Sequence, residues 1–165
     1  MLISLLIIFF FIVPQILSGH DPLLISIVGS LVIMVITIYL AHGFNQQTSV
    51  AVLATFLCLI LTGILAIVFV HLAKLSGLGT EDEYSLLQGF NNTINLQGLL
   101  LGGIIIGALG VLDDVTTTQV ATVYTLADAN PKYTVRDLFE KGMLIGKEHI
   151  SSLVNTLVLA YAGVS

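Results

Sequence analysis

Residues 22–73 read PLLISIVGSLVIMVITIYLAHGFNQQTSVAVLATFLCLILTGILAIVFVHLA, and the stretch contains no Asp, Glu, Lys or Arg. A bilayer core about 30 Å thick takes roughly 20 helical residues rising 1.5 Å each, and this run supplies that length twice. It divides at the polar cluster His42-Gly43-Phe44-Asn45-Gln46-Gln47. The reading is two spans, Leu23 to about Ala41 and about Ser49 to Leu72, joined by a tight turn. Upstream, Met1 to Leu17 is also apolar, with Pro14 near its end, and Ser18-Gly19-His20-Asp21-Pro22 reads as a turn. That makes a further crossing, the first in chain order. Residues 1–20 lack Lys and Arg, so the positively charged start of a secretory signal is missing. The bare apolar start and the final run Leu157 to Val164, which has no polar flank, read as the open ends of a fragment of a longer membrane protein.

Composition agrees with this. Of 165 residues, 56% are hydrophobic and 9% charged, against about a quarter charged in ordinary soluble domains, which excludes a water-soluble globular protein. Five Lys and Arg in all, within a net charge of -5, leave no basic surface to neutralise phosphates, which excludes nucleic-acid binding. The one cysteine, Cys58, lies in an apolar run, so there is no disulfide framework and no cysteine metal cluster.

Downstream, Gly77 to Asn92 reads as a polar loop with Glu81, Asp82 and Glu83. A glycine-rich apolar stretch follows from Leu96 to Leu112, with helical character running on to Ala129, where Asn130 and Pro131 break it. One helix over Leu96 to Ala129 exceeds the bilayer and leaves Asp113 and Asp114 near its middle, at membrane depth. Thr134, three residues before Asp137, reads as a capping-box start. From there a short amphipathic helix is expected on the membrane surface, then a fifth span from about Gly146 to Val164. The expected fold is therefore all-α and polytopic, a single transmembrane domain over residues 1–165 with about five transmembrane helices plus the short amphipathic one. Lys132, Arg136, Lys141 and Lys147 cluster between the fourth and fifth spans, which places segment 130–147 in the cytoplasm; Lys74, on the outer side, dissents.

The chemistry-bearing candidates gather near Gly107-Ala108-Leu109-Gly110-Val111-Leu112-Asp113-Asp114. An ionised Asp at a helix centre costs roughly 2.5 to 3.5 kcal/mol on insertion scales, so it persists only with a partner or a purpose. Adjacent carboxylates also repel, which favours a proton held by the pair. Asp113 and Asp114 are thus candidates for proton or cation coupling, or else for a solvated interfacial pair. Thr117 and Thr118, one turn further on, line a wet path or bond back to their own helix. Glu148, Ser152 and Asn155 or Thr156 share a helical face, and Lys147 or His149 is placed to pair with an aspartate, the plainer reading being an interfacial helix start. Gly98 with Gly102, and Gly103 with Gly107, make two Gly-x-x-x-Gly spacings that suit close helix packing in lipid.

His20, His42, His71 and His149 are scattered, without the spacing of a zinc site, and no metal site is expected. Asn91-Asn92-Thr93 is a sequon that matters only in a glycosylating compartment. No His-Glu-x-x-His, Gly-x-Ser-x-Gly or phosphate loop occurs. The adjacent aspartates lack the Gly-x-Gly-Asp and Tyr-Asp contexts of intramembrane aspartyl proteases. Neither an enzyme nor a cofactor is expected.

Larger blocks carry a resemblance. Pro14, Gly19 and Pro22 are followed by Tyr39-Leu40-Ala41-His42-Gly43-Phe44-Asn45 with Thr48 and Ala51, then by the Gly107 to Asp114 block. The chain closes with Ile145-Gly146-Lys147-Glu148-His149-Ile150-Ser151-Ser152 and Asn155-Thr156-Leu157-Val158-Leu159-Ala160-Tyr161-Ala162-Gly163. Over essentially its whole length the chain resembles the YibE/F family of bacterial multi-pass membrane proteins, which implies the inner membrane and further spans beyond the last block. The arrangement over residues 103–163 is also similar to the membrane half of SecD, SecF and the resistance-nodulation-division transporters, which implies proton coupling through intramembrane acids. The expected function is a secondary transporter or permease subunit using Asp113, Asp114 and Glu148. The alternative is a non-transporting scaffold that docks a partner. Expected partners are the lipid bilayer and a second copy or a paired membrane subunit.

Overall fold

The computed structural model describes residues 2–77 and 95–162. They form helices α1 (Leu2–Leu17), α2 (Pro22–His42), α3 (Gln46–Leu72), α4 (Leu96–Ala129) and α5 (Val135–Ala162), with no strand among the described residues. The loop acids Glu81, Asp82 and Glu83 and the Asn91 sequon lie outside the described residues. The helices divide into two compact units, Met1–Asp113 and Asp114–Ser165.

In the first unit, each helix end is closed by the residues that broke the apolar run. Asp21 accepts a hydrogen bond from the Leu24 N–H at 2.9 Å, with Pro22 in the first turn, where a missing N–H costs nothing. Gly43 takes φ 74, a left-handed conformation open to glycine, and its N–H reaches the Tyr39 carbonyl at 2.9 Å. Asn45 then serves both helices. Its amide donates to the His42 carbonyl at 3.0 Å, and its oxygen accepts from the Thr48 N–H at 2.8 Å. Tyr39 stacks on Phe44 at 4.7 Å between ring centroids. Removing the cap by Asn45→Ala is expected to cost about 1 to 2 kcal/mol, read as a lower Tm of the purified protein; an unchanged Tm would show the turn is held by its packing alone.

α1 contains a π-helical turn over Ile8–Ile12. Pro14 follows directly, and because it has no N–H the regular bonding ladder is interrupted there. Ile12 sits over Gly29 of α2, where a Cβ would collide with the Ile12 side chain. Gly102 of α4 lies against Ser26 in the same way, and a Cβ added there would collide with the Ser26 side chain and stand 3.3 Å from the Pro22 carbonyl oxygen. Ala66 and Val70 of α3 pack on Leu101 of α4, flanked by Leu23, Leu100 and Ile104.

This interior mixes large apolar residues, Ile33, Met34 and Ile38 among them, with buried Ser26, Ser30, Thr48, Thr55, Ala51 and Ala66, while Leu24, Val32, Leu53, Leu57, Leu61 and Phe69 point outward. So apolar an outer surface suits lipid, not water. In lipid, where apolar burial gives no drive, small residues that let backbones approach are what hold helices together. The chain is a membrane protein on this pattern and on its apolar helices.

The span count differs from expectation. Among the described residues three helices, α2, α3 and α4, are long and apolar enough to cross a membrane, and the expected count of five is not confirmed. α1 is apolar, and its residues 2–17 reach about 24 Å at 1.5 Å per residue. The expected surface helix and fifth span are one continuous helix, α5, of 28 residues. Gly146, where the fifth span was expected to begin, lies inside this helix and packs against Gln119.

In the second unit, Asn130 closes α4 and turns the chain. Its Oδ1 accepts from the Lys132 N–H at 3.2 Å and its carbonyl from the Tyr133 N–H at 3.0 Å. α5 opens with the reciprocal cap expected from the sequence. Asp137 Oδ2 accepts from the Thr134 N–H at 2.9 Å and the Thr134 hydroxyl at 2.7 Å, and the Asp137 N–H donates to Thr134 Oγ1 at 3.2 Å. The hydroxyl and backbone hydrogen bonds from Thr134 hold the Asp137 carboxyl below its ordinary value, with Lys141 adding a smaller pull.

A depressed folded-state value means the cap is at full strength above the ordinary value and is lost as pH falls through the lowered one. Amide exchange at residues 135–138 is therefore expected to quicken only in that acidic window, and Thr134→Ala should remove the dependence. Equal exchange in both proteins across it would contradict the cap's role.

Candidate functional site

Helical rise fixes how deep the acids sit. Thr37 lies five residues before the end of α2, about 7.5 Å along the axis, and its hydroxyl is 3.5 Å from Asp113 Oδ2. Asp113 is therefore level with the last third of α2. The same hydroxyl is 2.8 Å from the Ile33 carbonyl and 3.3 Å from that of Met34. Having one proton, it can serve the backbone or turn to the carboxylate.

A groove of about 790 Å³ opens at this place between α1, α2 and α4. Leu5, Ile8, Ile33, Ile106 and Leu109 give it apolar walls, Ser4 and Thr37 contribute hydroxyls, and Asp113 is its acid. Among the described residues, none of the lining side chains is basic. The π-helical turn of α1 contributes Ile8, and Gly110 leaves the wall open, since a Cβ there would have nothing within 4 Å. The groove can hold a molecule of ordinary ligand size with one charged end.

The two aspartates do not share this environment. Asp113 is half-buried in the first unit, whereas Asp114 is exposed in the second and gives its carbonyl to the Thr117 hydroxyl at 3.3 Å. Among the described residues Asp114 makes no ion pair with Lys147 or His149; the pair recorded in that unit is Arg136–Glu140 at 2.8 Å, between exposed side chains, a type worth little.

The other sequence candidates are dispersed. Thr117 is half-buried and Thr118 exposed, while Thr116 is the buried member of the run. On α5, Lys147, Glu148, Ser152 and Asn155 are exposed. The less exposed positions there are Leu138, Gly142, Gly146, His149, Leu153 and Leu157, one face at helical spacing. His149 belongs to that face, and its Nε2 is buried without a partner. Among the described residues no three His, Cys, Asp or Glu side chains converge as a metal site would need. Of the glycines, Gly102 meets α2, Gly98 donates its N–H to Asn95 Oδ1 at 3.0 Å at the start of its own helix, and Gly103 and Gly107 face open space.

Two features escaped the sequence reading. Gln119 reaches from α4 to α5, donating from Nε2 to the Gly142 carbonyl at 2.8 Å, with its Oε1 seated where a Cβ on Gly146 would stand 2.7 Å away. Gly142-x-x-x-Gly146 has the same spacing as the glycine pairs noted on α4 and was legible by that rule. Thr37 carried no signal, being a lone hydroxyl inside an apolar span.

The sequence profile of the family described as YibE/F-like protein matches residues 1–165. Neither the curated proteins nor the solved structures compared give a match.

Proposed function

The chain belongs to the YibE/F family, and from that premise we propose that it is a secondary transporter or permease subunit of the bacterial inner membrane in which Asp113 exchanges a proton for a cation. The observation that carries this reading is the placement of one carboxylate in the wall of an apolar groove, within reach of a hydroxyl able to turn toward it. An acid at membrane depth is costly and is by default functional. Thr37 can donate to the carboxylate, and a proton takes the place of the cation when none is bound. The Lys and Arg cluster of segment 130–147 faces the cytoplasm under the positive-inside rule, and by alternation of α2 and α3 the groove opens toward that side. Glu148, Lys147 and Asn155, exposed on α5, are left to interfacial roles.

The test is proton release from purified protein in weakly buffered detergent when cations are added, followed with a pH dye. The reading expects release that Asp113→Asn removes. No release with any cation, from protein that remains folded, would overturn it.

A second reading, a scaffold, is favoured by Gly103 and Gly107, which are exposed and have open space where a Cβ would stand. It expects Gly107→Leu to be silent in the isolated chain and to break an association in the membrane.

A further inference from the structure

The groove at Asp113 is specific about charge and shape together. Its walls come from aliphatic side chains on three helices, and among the described lining residues Asp113 is the acid and none is basic. We propose that this groove binds a monovalent organic cation with an apolar body, an ammonium or phosphonium type of molecule, which rests on the transporter reading and names its substrate class.

Three observations lead there. A metal ion is a poor occupant, because a hard divalent cation asks for six or more oxygens and among the described residues no cluster of three ligating side chains forms. Small hydrated cations gain nothing from Leu5, Ile8, Ile33, Ile106 and Leu109, whereas an apolar body exchanges lipid or water for those walls. The volume, about 790 Å³, lies within the range of small-molecule sites, roughly 300 to 1,000 Å³, far more than a bare ion needs. A carboxylate in a low-dielectric wall also attracts a diffuse charge effectively, since such a cation is weakly hydrated and loses little on entering. Anions of the same shape meet the carboxylate and are refused. Gly110 is part of the lining, and a Cβ there would have nothing within 4 Å, so a larger residue has room to narrow the groove.

The test uses three probes on the full chain in detergent, by equilibrium dialysis: tetraphenylphosphonium, tetraphenylborate of the same shape but opposite charge, and tetramethylammonium, with the charge and little apolar body. Tetraphenylphosphonium is expected to bind at least tenfold more tightly than either of the others. Asp113→Asn and Gly110→Leu should each weaken it at least tenfold, and Asp113→Glu should retain most of it. Equal binding of phosphonium and borate, or binding unchanged in Asp113→Asn, would overturn the proposal. If sodium or tetramethylammonium releases a proton from Asp113 while tetraphenylphosphonium neither binds nor does so, the substrate class is wrong and the transporter reading stands. If no cation releases a proton and none binds, both fall.

Discussion

Asp113→Asn is expected to abolish cation-induced proton release, at least a tenfold loss, while Asp114→Asn keeps more than half of it. The two acids are neighbours in sequence and alike in chemistry, so equal effects would be the natural guess. Their surroundings separate them. Successive residues of a helix point about 100° apart, which puts Asp113 in the groove wall beside Thr37 and leaves Asp114 exposed. The exposed carboxylate of Asp114 has no groove wall around it in which to hold a cation. Both variants are isosteric and neutral, so the amount of protein in the membrane should stay near that of the parent. Loss of release in Asp114→Asn with Asp113→Asn intact would reverse the assignment.

The second large effect is on stability. Gly146→Leu is expected to cost about 1 to 3 kcal/mol, the usual range for overpacking, and to appear as a drop in Tm. The Gln119 side chain cannot simply swing aside, because its Nε2 is tied to the Gly142 carbonyl at 2.8 Å while its Oε1 occupies the Gly146 position. Moving it also forfeits that hydrogen bond, about 1 kcal/mol. Because Gly-to-Ala gains up to about 1 kcal/mol of helix propensity, Gly146→Ala is a weaker probe than Leu. With Gln119→Ala in the background, Gly146→Leu should cost less than the sum of the single changes, the mark of a direct contact. Strict additivity would show that Gln119 and Gly146 do not meet.

What the sequence disclosed, and what it hid, follows from how each feature is encoded. The hairpin of α2 and α3 was readable because Asp21, Gly43 and Asn45 are local punctuation in a charge-free run, and Asn130-Pro131 likewise fixed the end of α4. The cap at Thr134 and Asp137 depends on spacing alone and was also legible. The count of crossings is less legible, because an apolar run such as α1 carries no sharp signal for where it starts and stops. Gly146 looked like a boundary because nothing local reveals that Gln119, 27 positions upstream (146 − 119), fills the space beside it. Similarly, periodicity grouped Glu148, Ser152 and Asn155 on one face of α5 but could not say which way that face turns; the structure leaves it exposed. At Asp113, the carboxylate was conspicuous as a membrane acid, while Thr37 and the groove are products of tertiary packing between α1, α2 and α4.

The most direct test of the central claim, that Asp113 is the carboxyl at work in an apolar groove, needs no substrate. Membranes holding the full-length protein are treated with a hydrophobic carbodiimide, which modifies only protonated carboxyls reachable from an apolar phase, and the modified residue is located by mass spectrometry. Saturable modification of Asp113 with Asp114 untouched is expected, together with protection of Asp113 by tetraphenylphosphonium. Modification of Asp114 in preference to Asp113, or of neither at any pH, would contradict that claim.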